Sequence, residues 1–237
     1  MSTPAAAQSK PRWERRKDAR PAELLAAALE LFVEKGYAGT RLEDVAHRAG
    51  VSKGTLYLYF ENKEDLFKAV VRESVVERIT ETADQIERFE GRSDALLEHV
   101  VRRWWTEFGD KTAGGISKLM MAESSNFPEI ARFFLEEVIE PWHALLATAI
   151  RRGIERGEFR KVDVEMTVHA LAASLVMLSL WKCSFGPCSQ RPIDASAYID
   201  TTVDTFLTSL KCGAPGQADA TECANRGVKR SGTRTTR

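Results

Sequence analysis

Residues 40–67, T-R-L-E-D-V-A-H-R-A-G-V-S-K-G-T-L-Y-L-Y-F-E-N-K-E-D-L-F, constrain this chain most, because they carry three helix starts within 28 residues. Thr40 suits an N-cap, and Leu42, Val45, Ala46 and Ala49 form one apolar stripe behind it. Gly50 ends that helix, since glycine takes the left-handed turn a C-terminus needs. Ser52 caps the next helix, which turns Leu56 and Phe60 inward. Asn62 caps the third, with Glu64 and Asp65 in the first turn, where the helix dipole favours negative charge. Two short helices joined by a turn containing glycine make a helix-turn-helix.

The second helix, from Lys53 to about Tyr59, has polar and aromatic residues on its outer side, which suit a DNA groove better than a core. A recognition helix enters the major groove N-terminus first, so its early residues meet bases and phosphates. Gly54 lets the backbone approach the duplex closely. Lys53 and Thr55 reach for base edges, while Tyr57 and Tyr59 offer hydroxyls to phosphates or rings to thymine methyls. Lys63 opens the following helix, where its charge and the free backbone N–H groups both attract phosphate. Ordinary core packing is the competing explanation for the aromatic residues. It is accepted for Phe60, left open for Tyr59 and rejected for Tyr57.

Gly36, Thr40, the Ala46–Gly50 spacing, the run G-V-S-K-G-T-L-Y-L-Y-F and Lys63 before an apolar position together resemble the DNA-binding domain of the TetR family of bacterial transcriptional repressors. The match covers roughly residues 20 to 70. The resemblance implies an all-helical dimeric regulator whose second domain binds a small molecule. It also implies DNA contacts at Thr40, Lys53, Gly54, Thr55, Tyr57, Tyr59 and Lys63, with Ser52 as cap or phosphate contact.

Charge composition does not by itself supply a DNA-binding field. The 34 basic and 34 acidic residues cancel, so local asymmetry must do that work. No uninterrupted run of 18 apolar residues and no apolar signal core are evident, so the expectation is a cytoplasmic protein without a membrane span. Four cysteines, at 183, 188, 212 and 223, contain no C-x-x-C pair, which argues against a zinc knuckle or a disulfide framework.

The expected organisation has four parts. Residues 1–19 read as a disordered basic arm suited to the phosphate backbone or a minor groove. Residues 20–70 form the helix-turn-helix domain, with a first helix opened by Pro21 and stopped by Gly36. Residues 71–211 form a larger helical domain for ligand binding and dimerisation, and 212–237 a disordered basic tail. The fold class is therefore all-α.

Within it, a helix from Lys63 to about Phe89 links the DNA reader to the rest. Ser93 is expected to cap the next helix, and Pro141 to kink another. The stretch from Val164 to Lys182 is apolar nearly all round, which predicts burial on most sides. By the family resemblance, it and the helix Ala195–Lys211 pair with their copies in a homodimer as a four-helix bundle. A single helix-turn-helix also reads too few base pairs, which again favours a dimer on a near-palindromic double-stranded operator.

Trp104, Trp105, Phe108, Met120, Met121, Phe134, Trp142, Met177 and Trp181 form an aromatic and Met-rich set suited to a small apolar or aromatic ligand. His99, His143 and His169 lie on different helices without a metal-ligand spacing, so ordinary hydrogen-bonded histidines are expected, with no metal and no cofactor. No nucleophile, metal set or acid–base pair points to an enzyme. A scaffold with a vestigial helix-turn-helix leaves the DNA-compatible outer positions unexplained.

Overall fold

A computed structural model describes residues 12–211 of the chain. Among these, no β-strand occurs, only an isolated antiparallel bridge between Phe159 and Lys211. Helix α1 spans Arg12–Gly39 with Pro21 in its interior. Residues 12–19 are thus helical, which corrects the expected start at Pro21. Their composition explains it, since Glu, Arg, Lys and Ala are good helix formers whatever their net charge. The rest of the expected basic arm, residues 1–11, and the tail 212–237 lie outside the described residues.

Gly36 leaves the helical path of α1 at φ 76°, ψ 171°, a region essentially restricted to glycine. Helices α2 (Leu42–Arg48) and α3 (Lys53–Tyr57) follow, with Gly50 at φ 66° between them. Helix α4 (Lys63–Val71) runs through a π turn (Arg72–Val76) into α5 (Glu77–Glu87), so the expected connecting rod contains one widened turn. Apolar side chains from α1 to α4 close a small core, in which Phe32 meets Phe67 edge-on at 5.2 Å and stacks on Tyr37 at 5.7 Å.

Two expected caps are displaced. The N-cap of α2 is Arg41, not Thr40. Thr40 is only 1% exposed, and its hydroxyl faces the carbonyls of Gly36 at 2.7 Å and Leu31 at 3.1 Å. It closes the broken end of α1 instead of opening α2. The N-cap of α6 (Ser93–Trp104) is likewise Arg92, while the buried Ser93 donates its N–H to Glu158 at 2.6 Å.

Helix α6 continues through a second π turn (Trp105–Gly109) and a short 3₁₀ turn (Thr112–Gly114) into α7 (Gly115–Glu123). Helix α8 (Pro128–Phe134), a third π turn (Leu135–Ile139) and α9 (Glu140–Glu155) form one path. The expected disruption at Pro141 takes the form of that π turn. Proline has no N–H to return to the preceding turn, and a wider turn accommodates the missing bond.

Helix α10 (Val164–Ser184) packs against α7, α9 and α11 (Ala195–Leu210). It is not buried on most sides as expected. Val168, Leu171, Leu175 and Leu178 face inward, while Met166 and Met177 are each 55% exposed. By length and composition α10 could cross a membrane, a property hidden by its scattered polar residues; only 33% of its apolar window is buried within the protomer. It leaves an apolar face without a partner inside one copy of the described chain.

Candidate nucleic-acid interface and cavity

Helix α3 is held from below and presents its upper side to solvent. Leu56 is fully buried and Phe60 is 7% exposed, so these two residues pin its inner face. Ser52 caps it, accepting the Thr55 N–H at 3.1 Å, and the two hydroxyls pair at 2.8 Å. Lys53 and Gly54 are exposed. Tyr57 is 44% exposed and Leu58 81%. Tyr59 is half-buried and tilts against Phe60. Leu58 was missed by sequence reasoning, although its place beside the outward Tyr57, off the Leu56–Phe60 stripe, was the available signal.

Lys53 forms an ion pair with Glu43 on α2, and its ammonium lies 5.7 Å from the Tyr57 ring. The hydrogen bond that Lys53 donates to Glu43 holds the Lys53 pKa above its usual value and lowers that of Glu43. The pair ties α2 to α3 in the free protein, and an incoming phosphate would compete with Glu43 for the same cation. A Cβ at Gly54 would meet only Ser52 Oγ, at an ordinary 3.8 Å. The fold itself therefore does not require glycine at this exposed position.

Two expected DNA contacts stand differently. Thr40 is buried, as above. Lys63 does not present a free ammonium: it donates to the carbonyls of Tyr37 at 2.8 Å and Ala38 at 3.3 Å, and stands 4.5 Å from the Tyr37 ring centre. The broken end of α1 leaves carbonyls without helical partners, and a cation is favoured there. Burial lowers the Lys63 pKa. The Tyr37 hydroxyl is pushed up to about 12, first by burial and then by Glu64 and Glu129.

The larger domain holds a half-open cavity of about 400 Å³. Six of the nine expected residues line it: Trp104, Phe108, Met120, Met121, Phe134 and Trp142. Trp105, Met177 and Trp181 do not. Trp105 lies one position, and so about 100° of helix rotation, from Trp104, under the Lys182 ammonium at 5.6 Å. Met177 is on the outer face of α10, and Trp181 packs on Phe185 at 5.3 Å. Sequence reasoning missed the small residues Ala131, Ala172 and Ala173, which make room but carry no chemical signal.

It also missed that His143 and His169 share this wall, with ring centres 4.8 Å apart. Burial, and secondarily His169, lowers the His143 pKa. His99 is elsewhere, paired with Gln85 at 3.1 Å. Among the described residues no three His, Cys, Asp or Glu side chains form a metal-sized group.

All three π turns contribute to the cavity wall: Val75 from the first, Phe108 from the second, Val138 and Ile139 from the third. A π turn inserts one extra residue into a helix, which displaces the packing on either side of it. Arg72 forks onto Glu137 at 2.7 and 2.9 Å, joining the first π turn to the third. A second connection runs from α7. Glu123, between the wall residues Met120 and Ser124, accepts the Ala38 N–H at 3.2 Å. Beside it, Phe127 lies against Tyr37 with ring centres 4.7 Å apart.

Comparison with known proteins agrees with this division of labour. Residues 24–70 match the model of bacterial regulatory proteins of the tetR family, and residues 90–206 that of the tetracyclin repressor-like C-terminal domain. A fatty acid metabolism regulator protein of Bacillus subtilis is 26% identical over 145 residues, 61% of this chain and 73% of that protein. A TetR-family regulator structure from Mesorhizobium loti superposes with a TM-score of 0.63 at 25% identity, over 86% of this chain and 100% of that one. The structure of FadR from Bacillus subtilis, in complex with stearoyl-CoA, gives a TM-score of 0.65 at 18% identity, over 79% of this chain and 98% of that one.

Proposed function

Since this chain belongs to the TetR family of bacterial regulatory proteins, we propose that it is a repressor that binds a near-palindromic operator as a homodimer and leaves it when a small apolar or aromatic ligand enters the cavity. The observation that carries this reading is the continuity of one helical path. Its N-terminus at Lys63 braces the end of α1 beside α3, and its Val75 and Ile79 line the cavity.

In the DNA-bound state, Lys53 and Thr55 address base edges, Tyr57 and Tyr59 the backbone or thymine methyls, and Gly54 a close backbone approach. Ser52 fixes the start of the reading helix, and Lys63 acts through the α1 carbonyls it braces. The exposed apolar face of α10, with Met166 and Met177, pairs with its copy, and this two-fold symmetry sets the spacing of the two readers. Ligand entry repacks the walls around the π turns. Arg72–Glu137 and Glu123–Ala38 carry that change to the helix-turn-helix, and the ligand shifts the equilibrium only by its differential affinity for the two arrangements. The relative FadR, crystallised with stearoyl-CoA, supports a long apolar occupant for this kind of domain.

The test is a footprint of the purified protein on the DNA flanking its own coding sequence, repeated across a salt series. A protected near-palindrome, with affinity falling steeply as salt rises, is the expected result. Binding indifferent to sequence on genome-wide selection would overturn the reading.

A further inference from the structure

The polar groups in the cavity wall are few and unevenly distributed. Ser117 and Ser124 lie on α7, His143 on α9 and His169 on α10, and no Asp, Glu, Lys or Arg side chain is part of the wall. The imidazoles are brought together by the packing of α9 on α10, edge to face, with ring centres 4.8 Å apart. Neither ring has a hydrogen-bond partner among the described residues, in contrast to His99, which has Gln85. His143 is half-buried and His169 exposed, so the pair stands where the cavity opens to solvent, beside Trp142, Ala172 and Ala173 in a wall that is otherwise almost wholly apolar.

We infer that His143 and His169 together bind the carboxylate head of an otherwise apolar ligand, so that the cavity selects single-headed organic acids. This rests on reading the cavity as the ligand site. Three chemical facts favour an anionic head. Each neutral imidazole carries one N–H in either tautomer, and two neighbouring rings supply two donors, which matches the two acceptor oxygens of one carboxylate. A carboxylate accepts only, so it leaves neither donor unmatched, whereas a single hydroxyl engages them less completely. A cationic head would find no carboxylate in the wall to balance it, only aromatic faces.

The apolar remainder of such a ligand would run along Trp104, Phe108, Phe134 and Trp142. Two of the five tryptophans therefore report on occupancy directly. The experiment titrates the full-length protein at neutral pH with dodecanoic acid, dodecanol and dodecyltrimethylammonium, each below its micelle concentration. Tryptophan emission is followed, and equilibrium dialysis provides an independent Kd.

The acid should bind about tenfold or more tightly than the alcohol, as expected for charge-assisted hydrogen bonds. In the double variant His143→Leu, His169→Leu the acid should lose that advantage, with the alcohol still bound. Equal or tighter binding of the alcohol or the ammonium compound to the native protein overturns the inference, independently of whether the variant folds. So does an acid preference that survives in a folded double variant. If the acid loses but the alcohol binds, the cavity reading stands and only the head-group assignment falls. If none of the three binds, by emission or by dialysis, to native protein that still protects its operator, the ligand-site reading falls and the inference with it.

Discussion

Glu123 and Ala38 are separated by 85 positions in the chain, and the Ala38 N–H donates to Glu123 Oε1 at 3.2 Å. The bond joins a wall helix of the cavity to the broken end of α1, two residues before the loop that leads into the DNA-reading pair. The same carboxyl oxygen stands 3.1 Å from the point where a Cβ would lie on Gly36. Glu123 thus couples α7 by direct contact to the turn that precedes α2.

Removing the acceptor should loosen that turn locally. In Glu123→Ala the Ala38 amide is expected to exchange its hydrogen about fivefold to tenfold faster, the size of one hydrogen bond worth ~1 kcal/mol. Glu123→Gln keeps an acceptor oxygen and should restore most of the protection. Amide exchange read by mass spectrometry or NMR decides it, and unchanged exchange at Ala38 in the alanine variant would remove this contact from the coupling path.

Gly36 and Gly54 should respond in opposite ways to alanine. Gly36→Ala forces a side chain into φ 76° with Glu123 nearby, and should cost ~1–3 kcal/mol, read as a lower urea midpoint. Gly54→Ala meets no obstacle and sits in a helix, so the fold should be as stable or gain up to ~1 kcal/mol. Its operator affinity should nonetheless fall, because the added methyl occupies the space needed for close approach to the duplex. Native operator affinity in Gly54→Ala would refute that role.

Tyr37 offers a spectroscopic check on the junction. Its burial against Phe32, Phe67 and Phe127 raises its pKa to about 12 from the ordinary 10.0. The protonated form is favoured by folding, so the corresponding stability is fully present below pH 10 and is lost as pH rises through about 12. An alkaline titration of tyrosinate absorbance should show a late ionisation that is absent in Tyr37→Phe. Its appearance near pH 10 in the folded native protein would contradict the packing described.

Lys53 and Lys63 should separate by readout. Lys63→Met removes bonds to two carbonyls and should lower stability by ~1–2 kcal/mol. The salt dependence of DNA binding should stay close to native, since its ammonium is turned inward. Lys53→Ala, at an exposed ion pair, should leave the unfolding midpoint where it is and change operator preference instead. A fall of about one in the salt slope for Lys63→Met would return that ammonium to the phosphate.

The legible parts of the sequence were those whose causes lie within a few residues. Ser52 and Asn62 cap helices by reaching an amide three positions on, and Gly50 turns on its own backbone. Tyr57 and Phe60 sorted correctly outward and inward because Leu56 and Phe60 share a helical stripe. Thr40 and Ser93 were misread as caps for the opposite reason, since each is engaged by a more distant group, the Leu31 carbonyl and the Glu158 carboxylate respectively. The bond of Lys63 to the Tyr37 carbonyl was illegible on the same ground.

The sequence by itself determined an all-helical chain, the reading helix and its cap, and an aromatic set able to line a cavity, because periodicity and capping act over one or two turns. Only tertiary structure decided which of those aromatics face the cavity. One position of shift rotates a side chain by about 100°, which separates Trp104 from Trp105. The three π turns add a residue to the helical count at the points where the walls meet, so register beyond them cannot be carried forward from the pattern. The meeting of His143 with His169 was decided in the same way, by how α9 lies on α10.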